Sequence, residues 1–380
     1  MYDKLNNVPS GRFESHGSYR VFLPNPLPPI QTPSLDGEMA VLLTEAVQAL
    51  SRLDGLASIL PSTNLFLAMY VKQEAVLSSQ IEGTQASLED VLAYEAYGGV
   101  HIADDVEEVV NYVAALNLGV SLLDENATTI WMIRQIHQRL MQGVRGGDKQ
   151  PGEIRTTQNF IGSADGRIEH ARFVPPPPTM VGELLENLEA FLRLRNLPAL
   201  VQAAYAHAQF ETIHPFLDGN GRIGRLLIAL ILLERKALSL PLLYVSLYLK
   251  ENRAEYYDRL QAIRVAGDWG GWLRFFLRGV VDVAGRATAT AQAVIALDRK
   301  TREQLAFEGK RTGNLLRCID ALFQQPRTTG THLAKKLDVS YQTANALTLR
   351  LVELGILREV TGNRRHRQFA FTEYLRLFES

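Results

Sequence analysis

Residues 214–233 read HPFLDGNGRIGRLLIALILL. The second part, Leu226 to Leu233, is apolar on every side, and a helix of that kind must be wrapped by other elements. It can only be the buried axis of a helical body. The first part is its opposite. Within twelve positions it carries His214, Asp218, Asn220, three glycines and two arginines. Core packing does not ask for that mixture; an anion site does. Gly219, Asn220 and Gly221 read as a tight turn ahead of the helix, with backbone N–H groups and the helix dipole directed at one anion. Glycine allows the close backbone approach. Arg222 and Arg225 are three apart and suit a polyphosphate. Asp218 beside them is a natural ligand for Mg2+ bridging phosphates. His214 is placed to accept a proton from an incoming hydroxyl. The plainer alternative is a buried helix whose histidine caps a core and whose arginines form salt bridges.

The 380 residues allow two or three domains, each with its own core. Cys318 is the only cysteine, so a disulfide within the chain is excluded and a reducing, cytoplasmic setting is expected. The first residues lack the apolar core of a secretory signal, and no charge-free stretch of about 18 residues invites a bilayer span. The eight histidines show no metal-ligand spacing such as H-E-x-x-H. Charge is uneven: residues 311–380 hold 11 basic against 6 acidic side chains, within a chain of formal net charge −1. That balance fits a separate basic module, or an ordinary solvated surface.

The patterning predicts a mainly α chain in four parts. Residues 1–100 combine a Pro- and Gly-rich extended arm, to about Asp36, with a helical region. There AMYVKQEAVLSSQIEGT stops at Gly83, a plausible helix-ending glycine. Residues 101–285 form a helical core, interrupted at Ile154–Pro178 by strand-type residues around Asp165-Gly166, which predict a β-hairpin with no sheet to join. Residues 286–310 form a connecting helix. Residues 311–380 read helix, helix, turn near 338–340, helix and a hairpin around Gly362-Asn363, the order of a winged helix-turn-helix.

HPFLDGNGRIGR resembles the Fic signature H-x-F-x-[DE]-G-N-G-R-x-x-R and matches every defined position. Most Fic proteins transfer AMP from ATP to a protein hydroxyl. The resemblance, which spans roughly Leu35 to Val283, implies His214 as the base and Phe216 as the loop's anchor. Asp218 would hold Mg2+. Gly219, Asn220 and Gly221 would form the anion hole, with Arg222 and Gly224 at the phosphates and Arg225 on the γ-phosphate. SSQIEG at Ser78–Gly83 is similar to the family's inhibitory motif [ST]-x-x-x-E-[GN]: Glu82 would occupy Arg225, with Ser78 fixing the helix. GGDKQPGEIRTTQNFIG (146–162) and FVPPPP (173–178) look like the flap that pairs with a target's backbone, and Ile161 and Phe173 are its candidate residues. Glu251, in LYLKENRAEYY, falls where relatives line the adenosine end, or is a surface-helix residue. His207 and His137 read as structural. The implied partners are target proteins, the chain itself by self-modification, and a possible homodimer. Competing functions are AMP removal or transfer of another phosphate-containing group, and a DNA-binding regulator with a nucleotide-sensing core. In the regulator, 341–354 would be the recognition helix, carrying only Arg350, with Arg364, Arg365 and Arg367 in the wing.

Overall fold

The structure, a computed structural model, describes residues 7–35, 37–59, 63–96, 104–123, 127–363 and 367–378. The N-terminal segment is not the extended arm its composition predicts. It folds into an antiparallel sheet of β1 (Asn7–Val8), β2 (Gly11–His16) and β3 (Tyr19–Pro24), in that order. His16 pairs with Tyr19 across a two-residue turn in which Gly17 adopts φ +64, a conformation that suits glycine. Only the proline-rich stretch after β3 is extended.

α1 (Gly37–Ile59), α2 (Thr63–Ile81), α3 (Leu88–Ala96), α4 (Asp104–Leu123) and α5 (Ile130–Leu140) follow. Next come α6 (Pro178–Leu192), α7 (Ala199–Ile213), α8 (Asn220–Glu234), α9 (Val245–Glu251) and α10 (Arg253–Ala266). α7 and α8 are the central pair. Every residue of α7 from Leu200 to Ile213 is buried, and the apolar run of α8 packs along it. α4 and α5 cover α8 on one side, and α2 crosses its N-terminal half.

α11 (Trp269–Leu305) is a single 37-residue helix. It runs unbroken through the expected boundary at 285–286, so the segment predicted to connect domains is the second half of a core helix. Trp272 anchors its first half, donating Nε1–H to Ala204 O of α7 at 2.8 Å. By length and composition α4 and α11 are apolar enough to cross a membrane. Here their apolar faces pack within the fold, α4 on α5 and α2, α11 on α1.

The C-terminal unit comprises α12 (Thr312–Gln324), β4 (Arg327–Thr329), α13 (Gly330–Leu337), α14 (Tyr341–Glu353), β5 (Arg358–Glu359), β6 (Gln368–Ala370) and α15 (Thr372–Arg376), with strand order β4-β6-β5. Asp338 at φ 54 ends α13, and the Ser340 hydroxyl caps α14. This unit is seated on α2: α12 packs against it, Phe378 meets Tyr70 edge-on, and Gln73 donates to Phe378 O.

Candidate active site

The signature loop joins the C-terminus of α7 to the N-terminus of α8. His214 is the left-handed residue that ends α7, at φ 50, and Gly219, at φ 76, caps α8. Asn220 and Gly221 therefore lie in the first helical turn, not ahead of it. Asn220 acts on the loop: its Oδ1 accepts from Phe216 N–H at 2.9 Å and its Nδ2 donates to Phe216 O at 2.8 Å. Phe216 is buried, and its ring stacks on His137 with centroids 3.8 Å apart. His137 accepts from Gly152 N–H at Nδ1 (2.8 Å), so the proton sits on Nε2, which donates to Asp218 O (2.9 Å). That buried imidazole, its pKa pushed down to about 4 by burial, fixes the back of the loop.

The charges of the loop are all engaged. Arg225 is buried and donates Nε–H to Ser78 Oγ at 2.8 Å and Nη2–H to both Ser78 O and Glu82 Oε1 at 2.8 Å. Burial, the largest influence, opposes the charge, yet the surrounding groups, Glu82 first, hold the guanidinium pKa above its ordinary value. Ser78 thus grips the arginine itself rather than merely fixing its helix. α2 ends at Ile81 just before Glu82, and Gly83 follows at φ +103. Gly221 shows why this position needs glycine. A Cβ there would lie 2.1 Å from Glu82 Oε1 and 3.0 Å from Arg225 Nη1. The bare backbone at the front of α8 is the floor on which a carboxylate now rests.

Arg222 turns to α4, where buried Glu108 stands 3.4 Å away and Asp218 Oδ1 3.9 Å. Its Nε is buried without a hydrogen-bond partner. Glu108 also accepts from Thr84 Oγ1 at 2.6 Å, tying the segment after Glu82 to the same carboxylate. Asp218 accepts from Gly219 N–H at 2.7 Å and faces Lys149 Nζ at 3.2 Å. Glu108 and Lys149 had no motif to mark them.

His214 is buried, and its pKa is pushed down to about 4, first by burial and then by the charges of Arg264 and Arg155, against the pull of Glu82. Its Nδ1 has no hydrogen-bond partner. A histidine that stays neutral through the physiological range is fit to take a proton. One turn back, the Glu211 carboxyl is raised to about 7, chiefly by burial and in part by Glu82.

Two expected site residues are placed otherwise. A Cβ on Gly224 would meet Glu211 Oε1 at 2.5 Å and the His207 ring at 3.3 Å, so this glycine serves the close packing of α8 on α7 and not the anion side. His207 itself is structural, bonded to Gly224 O at 2.8 Å and the Tyr256 hydroxyl at 2.9 Å. Glu251 is an exposed residue paired with Arg286 of α11 at 2.9 and 3.0 Å.

The flap is not the hairpin its pattern predicts. Among the described residues of 154–178, pairing is confined to one bridge, Ile161 with Phe173, whose N–H···O contacts are 2.9 and 3.1 Å. Gly162 at φ +73 turns the chain beside it, and Pro175–Pro178 offer no donors to extend a ladder. Asp165-Gly166 lies at the tip as expected, with Asp165 bonded to Ser163, Arg167 and His170. A sheet does stand nearby: Phe22 N–H of β3 donates to Val174 O at 3.1 Å. Phe173 is buried under the Arg264 guanidinium, 3.6 Å from its ring centroid.

Residues 40–121 match the Fic/DOC family N-terminal region, and residues 127–232, which contain this loop, match the Fic/DOC family. The chain carries a Fic domain. It is 32% identical over 241 residues to Protein adenylyltransferase fic-1 of Caenorhabditis elegans, covering 60% of this chain and 42% of that one. With Protein adenylyltransferase Fic of Aedes aegypti it shares 30% identity over 188 residues, 48% of this chain and 33% of that one. The chain thus spans less than half the length of these relatives. The fold of a Fic family protein from Desulfovibrio desulfuricans G20 covers 90% of this chain and 98% of that chain, with a TM-score of 0.58 at 22% identity. The Ser78–Gly83 segment lies in the first matched region and the loop in the second, and the two meet at Arg225.

Proposed function

We propose that this chain transfers AMP from ATP to a hydroxyl side chain of a protein (Ser, Thr or Tyr), itself included, and that Glu82 restrains it by holding Arg225. The observation that carries the reading is the Arg225 clamp, at the front of an anion-binding helix whose loop also presents a neutral histidine. His214 takes the proton as the hydroxyl oxygen bonds to the α-phosphorus. The bond from that phosphorus to the bridging oxygen breaks, and pyrophosphate leaves with the electron pair. The N–H groups at the start of α8 and the two arginines stabilise charge on the phosphates.

Asp218 fits Mg2+: a single, partly exposed carboxylate beside a phosphate site is what this ion uses, with phosphate oxygens and water completing its shell. Bound there, it would neutralise phosphate charge. Lys149 holds the same carboxylate meanwhile. With Glu82 on Arg225, the γ-phosphate has no grip and the α-phosphate is out of line with His214.

For residues 311–380 the helix and strand order supports a winged helix, and a docking or dimerisation role is favoured over DNA. Arg350, the cation on α14, is tied to Glu308 by two 2.8 Å bonds and to Glu353 by a third. Arg364 and Arg365 lie outside the described residues. The chain is proposed to work in the cytoplasm.

The test is mass spectrometry of wild type and Glu82→Gly after incubation with ATP and Mg2+, alone and with lysate. An added AMP mass, larger in the variant, is expected. A different added group, or none in either protein, overturns the reading.

A further inference from the structure

Arg155 lies at the entrance to the flap and is 1% exposed. Its backbone N–H donates to Pro215 O at 2.9 Å. Its guanidinium reaches four carbonyls: Nε to His214 O at 2.9 Å, Nη2 to Ile213 O at 3.3 Å and to Pro176 O at 2.5 Å, and Nη1 to Thr157 O at 3.3 Å. None of these partners is a carboxylate. The cation is tolerated because two of the carbonyls are the last of α7, the negative end of that helix. The other two lie on the two limbs of the flap, Thr157 entering and Pro176 leaving.

Between the limbs the backbone pairing is the Ile161–Phe173 bridge and one adjacent bond, Arg172 N–H to Gly162 O at 3.2 Å. The proline run leaves its carbonyls to side-chain donors, Arg155 at Pro176 and Gln158 at Pro175 (3.0 Å). Asn159 adds a bond from the entering limb to Phe216 O at 3.0 Å. The Arg155 fork therefore joins both limbs at the base of the flap to the residue ending α7, which Asn159 Nδ2 also reaches at 3.4 Å.

We propose that Arg155 is a positioning residue that locks both limbs of the flap to the backbone of His214, so that a target strand laid on the flap brings its hydroxyl to the imidazole. This rests on His214 acting as the base. A second effect follows from charge. The groups that act on the His214 imidazole are Arg155 from the flap entrance, Arg264 from α10, Glu82 after α2 and the Glu211 backbone on its own helix. Burial is the first cause that keeps it unprotonated, the two cations add to it, and Glu82 works against them. Lysine in place of Arg155 keeps the charge but lacks the fork that reaches four carbonyls. Glutamine removes the charge as well.

The experiment compares Arg155→Lys and Arg155→Gln with wild type in the full chain. It reads His214 titration by NMR, amide exchange across 157–176, ATP affinity, and AMP transfer to protein. Both variants are expected to exchange about tenfold faster in the flap. Transfer to protein should fall about 10–100-fold with ATP affinity unchanged. His214 should titrate as in wild type in Arg155→Lys and at higher pH in Arg155→Gln. Wild-type flap exchange in a folded variant overturns the proposal. So does ATP affinity that falls in step with transfer, or a chain that folds with neither substitution. Titration and exchange require no turnover, so they test the lock even if AMP transfer itself proves to be the wrong reaction.

Discussion

A buried arginine stands at each end of the signature loop, Arg225 from α8 itself and Arg155 from the flap entrance, and the two are held in opposite ways. Arg225, at the start of α8, is gripped by Ser78 and by Glu82, a side chain that is 34% exposed and can swing away. Arg155, facing the end of α7, is gripped by four backbone carbonyls, two of them the last of that buried helix. In the proposed function the first grip is the one to be released and the second the one that stays. A buried charge whose partner departs is left costly unless another anion arrives, so the α8 end is poised for a phosphate. The α7 end needs no ligand to be satisfied.

The sharpest break of this contrast is His214→Ala. It removes the base but leaves both arginines, so transfer should fall about 10²–10⁴-fold while ATP affinity, read by calorimetry, is kept. The imidazole must be neutral to accept a proton. Activity of the intact protein should therefore persist as pH falls below the ordinary histidine range and be lost only as pH passes through about 4. A pH profile on Glu82→Gly reads that limb without the clamp.

Next in size is Glu82→Gly. Charge-assisted hydrogen bonds are the strong ones, and 1.36 kcal/mol is about tenfold in rate. A gain of about tenfold or more is expected, and it should vanish in Glu82→Gly combined with Arg225→Ala. A gain that survives the second substitution would mean Glu82 acts elsewhere. Lys149→Ala comes third. It frees Asp218 from a half-exposed pair, so the Mg2+ needed for half-maximal rate should drop about two- to fivefold. Glu251→Ala is the smallest. Its exposed pair with Arg286 touches neither arginine, and transfer should stay within about twofold of wild type.

The contrast was half legible in the sequence. His214–Arg225 and Ser78–Glu82 are written in side chains at fixed spacings, because anions and carboxylates are recognised by side-chain chemistry and bare backbone. Arg155 binds carbonyls, which every residue has, so nothing at 213, 176 or 157 announces it. Glu108 and Lys149 meet the loop only through the folding of α4 and the turn after α5. Gly224 and Glu251 sit inside or near a motif, yet one is a helix-packing contact and the other a surface pair. The N-terminal strands were hidden by prolines that in fact follow them. The flap's alternation was real, but Gly162 and the proline run leave it a single bridge.

The Glu82 carboxylate already fills the space over Gly221 at the front of α8. A carboxylate fastened to the same chain is never diluted there. Its effective concentration is fixed by the stiffness of α2 and by how firmly that helix is held. Because α12 and Phe378 also pack on α2, the proposed competition by Glu82 would depend on how firmly a distant part of the chain braces that helix. On the proposed function, an ATP titration on wild type would then be, in effect, a force gauge for the brace on that helix.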